Sequence, residues 1–183
     1  IEFFPVCDLY HFIHETGLAD SYRDLGAPVH RVIARQLCNA VRYLHTLGRI
    51  VLVHNDVRSK SVAVFSDQLV KLSSFTKCEV FMSENFDRGN LSGDVRDLVL
   101  LLGEVLCGQS LSGIEAVSEQ VEVSNGFNSA IHHALETYEL EELSAALADP
   151  ADQPGHMTHS AEAANSFRDS FSTLDSTLSE SYD

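Results

Sequence analysis

The segment that most limits what this chain can fold into is residues 94–107, where Val95, Leu98, Val99, Leu100, Leu101, Leu102, Val105 and Leu106 leave no polar face. A helix that is apolar on nearly every side has no surface to give to water, so it must run through the centre of a domain. Gly108 follows directly and supplies a natural stop. The remaining elements have to be arranged around this helix.

The spacing predicts an amphipathic helix over 28–45. Val29, Val32, Ile33, Leu37, Ala40, Val41 and Leu44 recur at steps of three and four, Arg31, Arg35, Asn39 and Arg42 fill the other face, and Pro28 sits in the first turn. Two β-branched runs, residues 62–65 and 69–72, flank Ser66, Asp67 and Gln68, which favour a tight turn, so they read as a hairpin. Further helices are expected over 115–121 and 128–148, separated by the turn signal Ser124-Asn125-Gly126. The second has a candidate interruption at 138–140 and ends at Asp149-Pro150, because proline turns its predecessor away from helical geometry. The result is one mainly helical α+β domain over residues 1–165, followed by a Ser/Thr-rich acidic tail, 166–183, too poor in apolar residues to bury a core. In that tail Phe167, Phe171, Leu174 and Leu178 would form a stripe if a partner made it helical.

With 183 residues, 44% of them hydrophobic, the chain can bury one ordinary core. Its formal net charge of -15 repels phosphate backbones and anionic lipid surfaces, so neither nucleic acid nor membrane is an expected partner. No apolar run is long enough for membrane insertion, and residues 1–6 lack a signal-peptide pattern. Cys7, Cys38, Cys78 and Cys107 lie far apart with no Cys-x-x-Cys pair, which reads as free thiols, with Cys38 and Cys107 buried in their helices. Asn90-Leu91-Ser92 fits the glycosylation acceptor pattern, a triplet that also arises often by chance.

Several segments, taken in order, carry a resemblance. Glu2-Phe3-Phe4-Pro5-Val6-Cys7-Asp8-Leu9 resembles E-[FY]-x-P-x-G-D-L; His54-Asn55-Asp56-Val57-Arg58-Ser59-Lys60-Ser61 lies over the spacing H-R-D-L-x-x-x-N. Val70-Lys71-Leu72-Ser73-Ser74-Phe75-Thr76 lies over a strand leading into D-F-G. Gly93-Asp94-Val95-Arg96-Asp97-Leu98 is similar to S-D-V-W-S-L, and Asp149-Pro150-Ala151-Asp152-Gln153-Pro154 to D-P-x-x-R-P. Together these resemble the hinge and C-lobe of the protein kinase family, with the N-lobe largely absent from the chain.

The resemblance implies phosphoryl transfer, in which metal ions held by the D-F-G aspartate and the loop asparagine neutralise the nucleotide phosphates. Here those positions are Ser74 and Ser61, and a neutral hydroxyl is a poor ligand for a hard divalent cation. Asp56 stands where the family places its catalytic base and Arg58 where a basic residue meets the transferred phosphate. Against residual catalysis stands the plainer reading that Asp56 organises the loop through backbone amides. Asn55 replaces the arginine that pairs with an activation-loop phosphate. No A-P-E sequence lies in the short stretch 77–93, and Gln153 replaces that glutamate's usual arginine partner. What the resemblance leaves intact is scaffolding: His54 and Phe75 as members of a hydrophobic spine, Asp94 as the anchor of the loop, and Ala63 as a vestigial adenine floor.

The resemblance therefore implies a pseudokinase that binds another protein as a scaffold or allosteric module, with no cofactor and a cytoplasmic setting. The alternative is a divergent kinase using ATP and Mg, with Asp56 and Arg58 active. Among other candidates, His11 with His14 and His156 with His159 have spacings from which a zinc site could start, but no further ligands follow. His14, with Glu15 and Asp8, reads more simply as a solvated helix surface, and His11 as partly buried. His132 and His133 point in different directions on a helix and do not chelate. Ser74 lacks the Gly-rich elbow of a serine hydrolase.

Overall fold

The computed structural model describes residues 5–15, 18–66, 69–121 and 126–148, with the Ser66 side chain not described. The helices are α1 (Leu9–His14), α2 (Leu18–Asp24), α3 (Gly26–His45), α4 (Ser92–Cys107), α5 (Ile114–Gln120), α6 (Phe127–Thr137) and α7 (Glu141–Ala146). The strands are β1 (Cys7–Asp8), β2 (Ile50–Val53), β3 (Val62–Ser66), β4 (Leu69–Leu72) and β5 (Glu79–Met82). The domain is mainly helical with small antiparallel sheets. Among the described residues no helix is long and apolar enough to cross a membrane.

Helix α4 packs at the centre, but it does not lack a water-facing side as its composition suggested: Arg96 is exposed and Asp97, Leu100 and Glu104 are half-buried along one stripe. Val95, Leu98, Val99, Leu101, Leu102 and Val105 are buried, and α3, α5 and α6 pack around it. Gly108 closes the helix in left-handed geometry at φ 66°, its amide donating to the Glu104 carbonyl at 2.9 Å. Helix α3 buries Ile33, Ala34, Leu37, Cys38, Val41 and Leu44. Pro28 lies in its first turn, where a missing amide proton leaves nothing unpaired.

The close approach of α4 and α5 depends on Gly103. A Cβ there would lie 2.7 Å from Val117 Cγ2 and 2.8 Å from Leu111 Cδ1. Leu111 can swing its terminal methyl away, but Val117 is β-branched and stiff. Overpacking of this kind costs about 1–3 kcal/mol, which outweighs the roughly 1 kcal/mol by which alanine is the better helix former. Gly93, in the same helix, has open space around it. Urea unfolding of G103A should therefore show a lower midpoint than wild type and G93A an equal or higher one; two shifts of the same sign would contradict this packing.

The predicted hairpin is present: β3 pairs antiparallel with β4, with an irregularity between Val64 and Ser66, and β1 adds to the other edge of β3. A second sheet was not expected. In it β2 pairs antiparallel with β5, Ile50 opposite Met82 and Val53 opposite Glu79. Helix α2 was not expected either. Its seven residues are too few for periodicity to show, yet Leu18, Ala19 and Tyr22 are buried.

The 128–148 helix is two helices. Tyr138 takes left-handed geometry at φ 61° and its amide donates to the Ala134 carbonyl, so α6 is capped and α7 leaves at a new angle that buries Leu140 and Leu143. The four cysteines are free, but only Cys38 is buried; Cys107, the last residue of α4, lies at the rim of the core and is half-buried. Burial pushes the Cys38 thiol up to about 12, which keeps it protonated and inert. Residues 1–4 and 149–183, with Glu2 to Phe4, the Asp149 to Pro154 segment, His156, His159 and the apolar stripe, lie outside the described residues.

Candidate functional site

The loop joining β2 to β3, residues 54–61, is held from below by one carboxylate. Asp94, in the first turn of α4, is 0% exposed. Its Oδ2 accepts the His54 amide at 2.7 Å and its Oδ1 the Asn55 amide at 2.8 Å, while His45 Nε2 from the end of α3 donates to Oδ2 at 3.1 Å. Burial pushes this carboxyl up, but the hydrogen bonds from His45, His54 and Asn55 outweigh it and hold Asp94 below the ordinary range. Asn55 sits at φ 60°, a conformation asparagine tolerates better than most residues, and this turns both amides toward the same acid.

His54 is fully buried. Its Nε2 donates to the Ser73 carbonyl at 2.8 Å, so the ring ties the loop to the end of β4. Phe75 meets that ring edge-on, 4.9 Å between centroids, but remains 47% exposed, so only half of the predicted spine pair is interior. Ser61 is buried, and its carbonyl receives the Ser73 amide and hydroxyl at 2.8 and 3.1 Å. Ala63 lies half-buried in β3, opposite Asp8 on one side and Lys71 on the other.

Asp56 does not do what a loop-organising acid was expected to do. The amides go to Asp94, and Asp56 takes side-chain donors instead: Lys77 Nζ on Oδ1 at 3.0 Å, Arg58 Nη2 and Ser61 Oγ on Oδ2 at 3.2 and 3.1 Å, and Arg58 Nε on Oδ1 at 3.2 Å. The Lys77 hydrogen bond, with Ser61 and Arg58 adding to it, holds this carboxyl below its ordinary value in spite of burial. Lys77 is a member of the site that sequence reasoning missed. It stands 21 residues from Asp56, directly after the segment Ser74-Phe75-Thr76, and the turn Phe75–Lys77 brings it back.

Ser74, at the start of that turn, is exposed and adopts φ 62°. The structure thus brings Asp56, Arg58 and Ser61 together and adds Lys77, with Ser74 on the adjoining turn. These residues do not fit a divalent cation. The one carboxylate of the loop already has two cations and a hydroxyl on its oxygens, and the Ser61 hydroxyl points its proton at Asp56. Among the described residues no group of three or more His, Cys, Asp or Glu is arranged to hold a metal.

Behind the loop lies a cavity of about 240 Å³ lined by Asp56, Arg58, Asp97, Glu104 and Ser110 among others. Burial pushes the Asp97 carboxyl up, with Asp94 and Asp56 adding to it. Glu104 is part of a connection that corrects the reading of α1. His14 is not on a solvated face: its Nε2 donates to Glu104 Oε1 at 2.6 Å, and Ser59 Oγ donates to the same oxygen at 2.9 Å. This links α1, the loop and α4. His11 faces elsewhere, between Asp8 at 2.7 Å and Glu15 at 3.3 Å, and is partly buried as expected, so the two histidines do not converge. His132 is exposed while His133 faces Glu142 at 3.9 Å.

No protein-family model matches this chain, and no curated protein matches it.

Proposed function

We propose that this chain is a protein kinase-like C-lobe that has lost its metal chemistry and acts as a pseudokinase, a scaffold or allosteric module for another protein. The observation that carries the reading is the state of Asp56: the position of a catalytic base is ion-paired with Lys77 and Arg58, and the two positions that would hold metal are Ser61 and Ser74. A base clamped by two cations has a lowered proton affinity, the wrong direction for accepting a proton from a hydroxyl. The surrounding scaffold supports the reading as well, because the loop is held by Asp94 and His54 through buried hydrogen bonds that need no ligand.

The alternative, a divergent kinase using ATP and Mg, draws on the retention of Asp56 and Arg58 in a fixed loop. The two separate on one measurement. A thermal shift of the 183-residue chain with ATP, with and without magnesium, should show no magnesium-dependent change in Tm; a clear rise would favour the enzyme reading.

A further inference from the structure

Residues 54–61 contain a single carboxylate, Asp56, and its side chain is only 11% exposed. Two cations and one hydroxyl converge on it, so the cluster carries a net positive charge within a chain whose formal charge is -15. Lys77 also contributes its backbone, since its carbonyl accepts Asn55 Nδ2 at 3.1 Å. The turn Phe75–Lys77 is therefore tied to the loop at two points, an ion pair and an amide. Both charged heads remain open to solvent, Arg58 at 59% and Lys77 at 58%, so neither is held in place merely by being buried.

We infer that Lys77, assisted by Arg58, is a built-in counter-cation of this loop: its ammonium sits where any divalent cation would have to approach Asp56, so the loop supplies its own cation and excludes metal. A divalent ion would need oxygen lone pairs that three donors already use, and it would meet two positive charges at hydrogen-bonding distance. The same ammonium pins the turn Phe75–Lys77 onto the loop. The inference rests on the ion-pair geometry and does not depend on the proposed function.

The experiment uses the 183-residue chain and Mn²⁺ as the probe, read by paramagnetic broadening of backbone amide signals. Wild type and the charge-conserving K77R should show no selective broadening at Asp56 and Ser61 in millimolar Mn²⁺. The double variant R58M/K77M should gain saturable broadening there, with apparent affinity about tenfold or more above wild type. The amides of His54 and Asn55, held by Asp94, report whether the loop is still folded. A metal-free readout accompanies this: amide exchange of residues 75–78 should be about threefold to fivefold faster in K77M, the scale of one exposed ion pair. Equal broadening in wild type and the double variant would overturn the inference, as would a folded double variant that gains none, or unchanged exchange in K77M. A magnesium-dependent nucleotide shift would overturn the proposed function and leave this result standing.

Discussion

Asp94→Ala is expected to destabilise the domain by about 3–5 kcal/mol, whereas Asp56→Ala is expected to cost clearly less, about 1–2 kcal/mol. The two acids lie on neighbouring elements and both are held in the charged form, so the difference comes from what each would leave behind. Removing the Asp94 carboxylate strands the amides of His54 and Asn55 and the Nε2 of His45, which share this one fully buried acceptor. Each stranded buried donor carries a desolvation penalty of about 1–3 kcal/mol. Removing Asp56 releases Lys77 and Arg58, whose side chains are mostly exposed, and leaves only one buried residue, Ser61, with a hydroxyl to re-pair. Chemical denaturation of both variants is the measurement, and equal losses would contradict the division of labour between the two acids.

The pH dependence follows the same logic. The folded-state value of Asp94 lies below the ordinary 3.8, so its contribution to stability is fully present above that ordinary value and is lost as pH falls through the depressed folded one. Asp56, also depressed, adds to the loss in the same acid range. Acid unfolding should therefore be shallower below about pH 4 in D94N than in wild type, because an amide has no proton to take up. A wild-type acid limb that survives unchanged in D94N would show that other carboxylates dominate it.

Tyr22→Ala is expected to cost about 3–5 kcal/mol, the scale for truncating a fully buried aromatic. The ring is 0% exposed, stacks on His30 at 4.3 Å between centroids, and meets Phe12 edge-on at 5.2 Å. Its hydroxyl donates to the Val105 carbonyl of α4 at 2.6 Å, which joins the short helix α2 to the central one. Burial, with Glu104 adding to it, pushes the phenol far up, so it stays protonated and the hydrogen bond persists as long as the fold does. Tyr22→Phe keeps the packing and loses only this bond, at about 0.5–1.5 kcal/mol. Urea unfolding of the pair separates the two contributions; a Tyr22→Ala loss near that of Tyr22→Phe would mean that α2 is not part of the cooperative core.

How much could be read in advance varied with the range of the interaction involved. The course of α3 and the β3–β4 hairpin were legible because side chains at regular steps, or a polar turn between β-branched runs, state their conformation within a few residues. The break at Tyr138 was legible only as a candidate, since nothing local requires a tyrosine to take positive φ; the burial of Leu140 and Leu143 by the outgoing chain accompanies it. His14 was read as surface from its neighbours Glu15 and Asp8, and the acid it actually meets, Glu104, is 90 residues away. Asp56 was picked out by its place in a loop pattern. Its surroundings were not, because the pattern over Ser74 to Thr76 assigns nothing to the residue that follows, and that residue, Lys77, supplies one of the two cations.

By itself the sequence determined that α4 belongs to the centre of the domain and that one mainly helical core forms around it. Those properties belong to composition and short-range periodicity, and any fold of this chain must respect them. Tertiary structure alone decided that β2 pairs with β5, that Tyr22 joins α2 to α4, and that Lys77 lies on Asp56. Each of these requires two distant segments to meet. The contact stabilises only after the chain between them has been ordered, so it leaves no periodic trace in either segment.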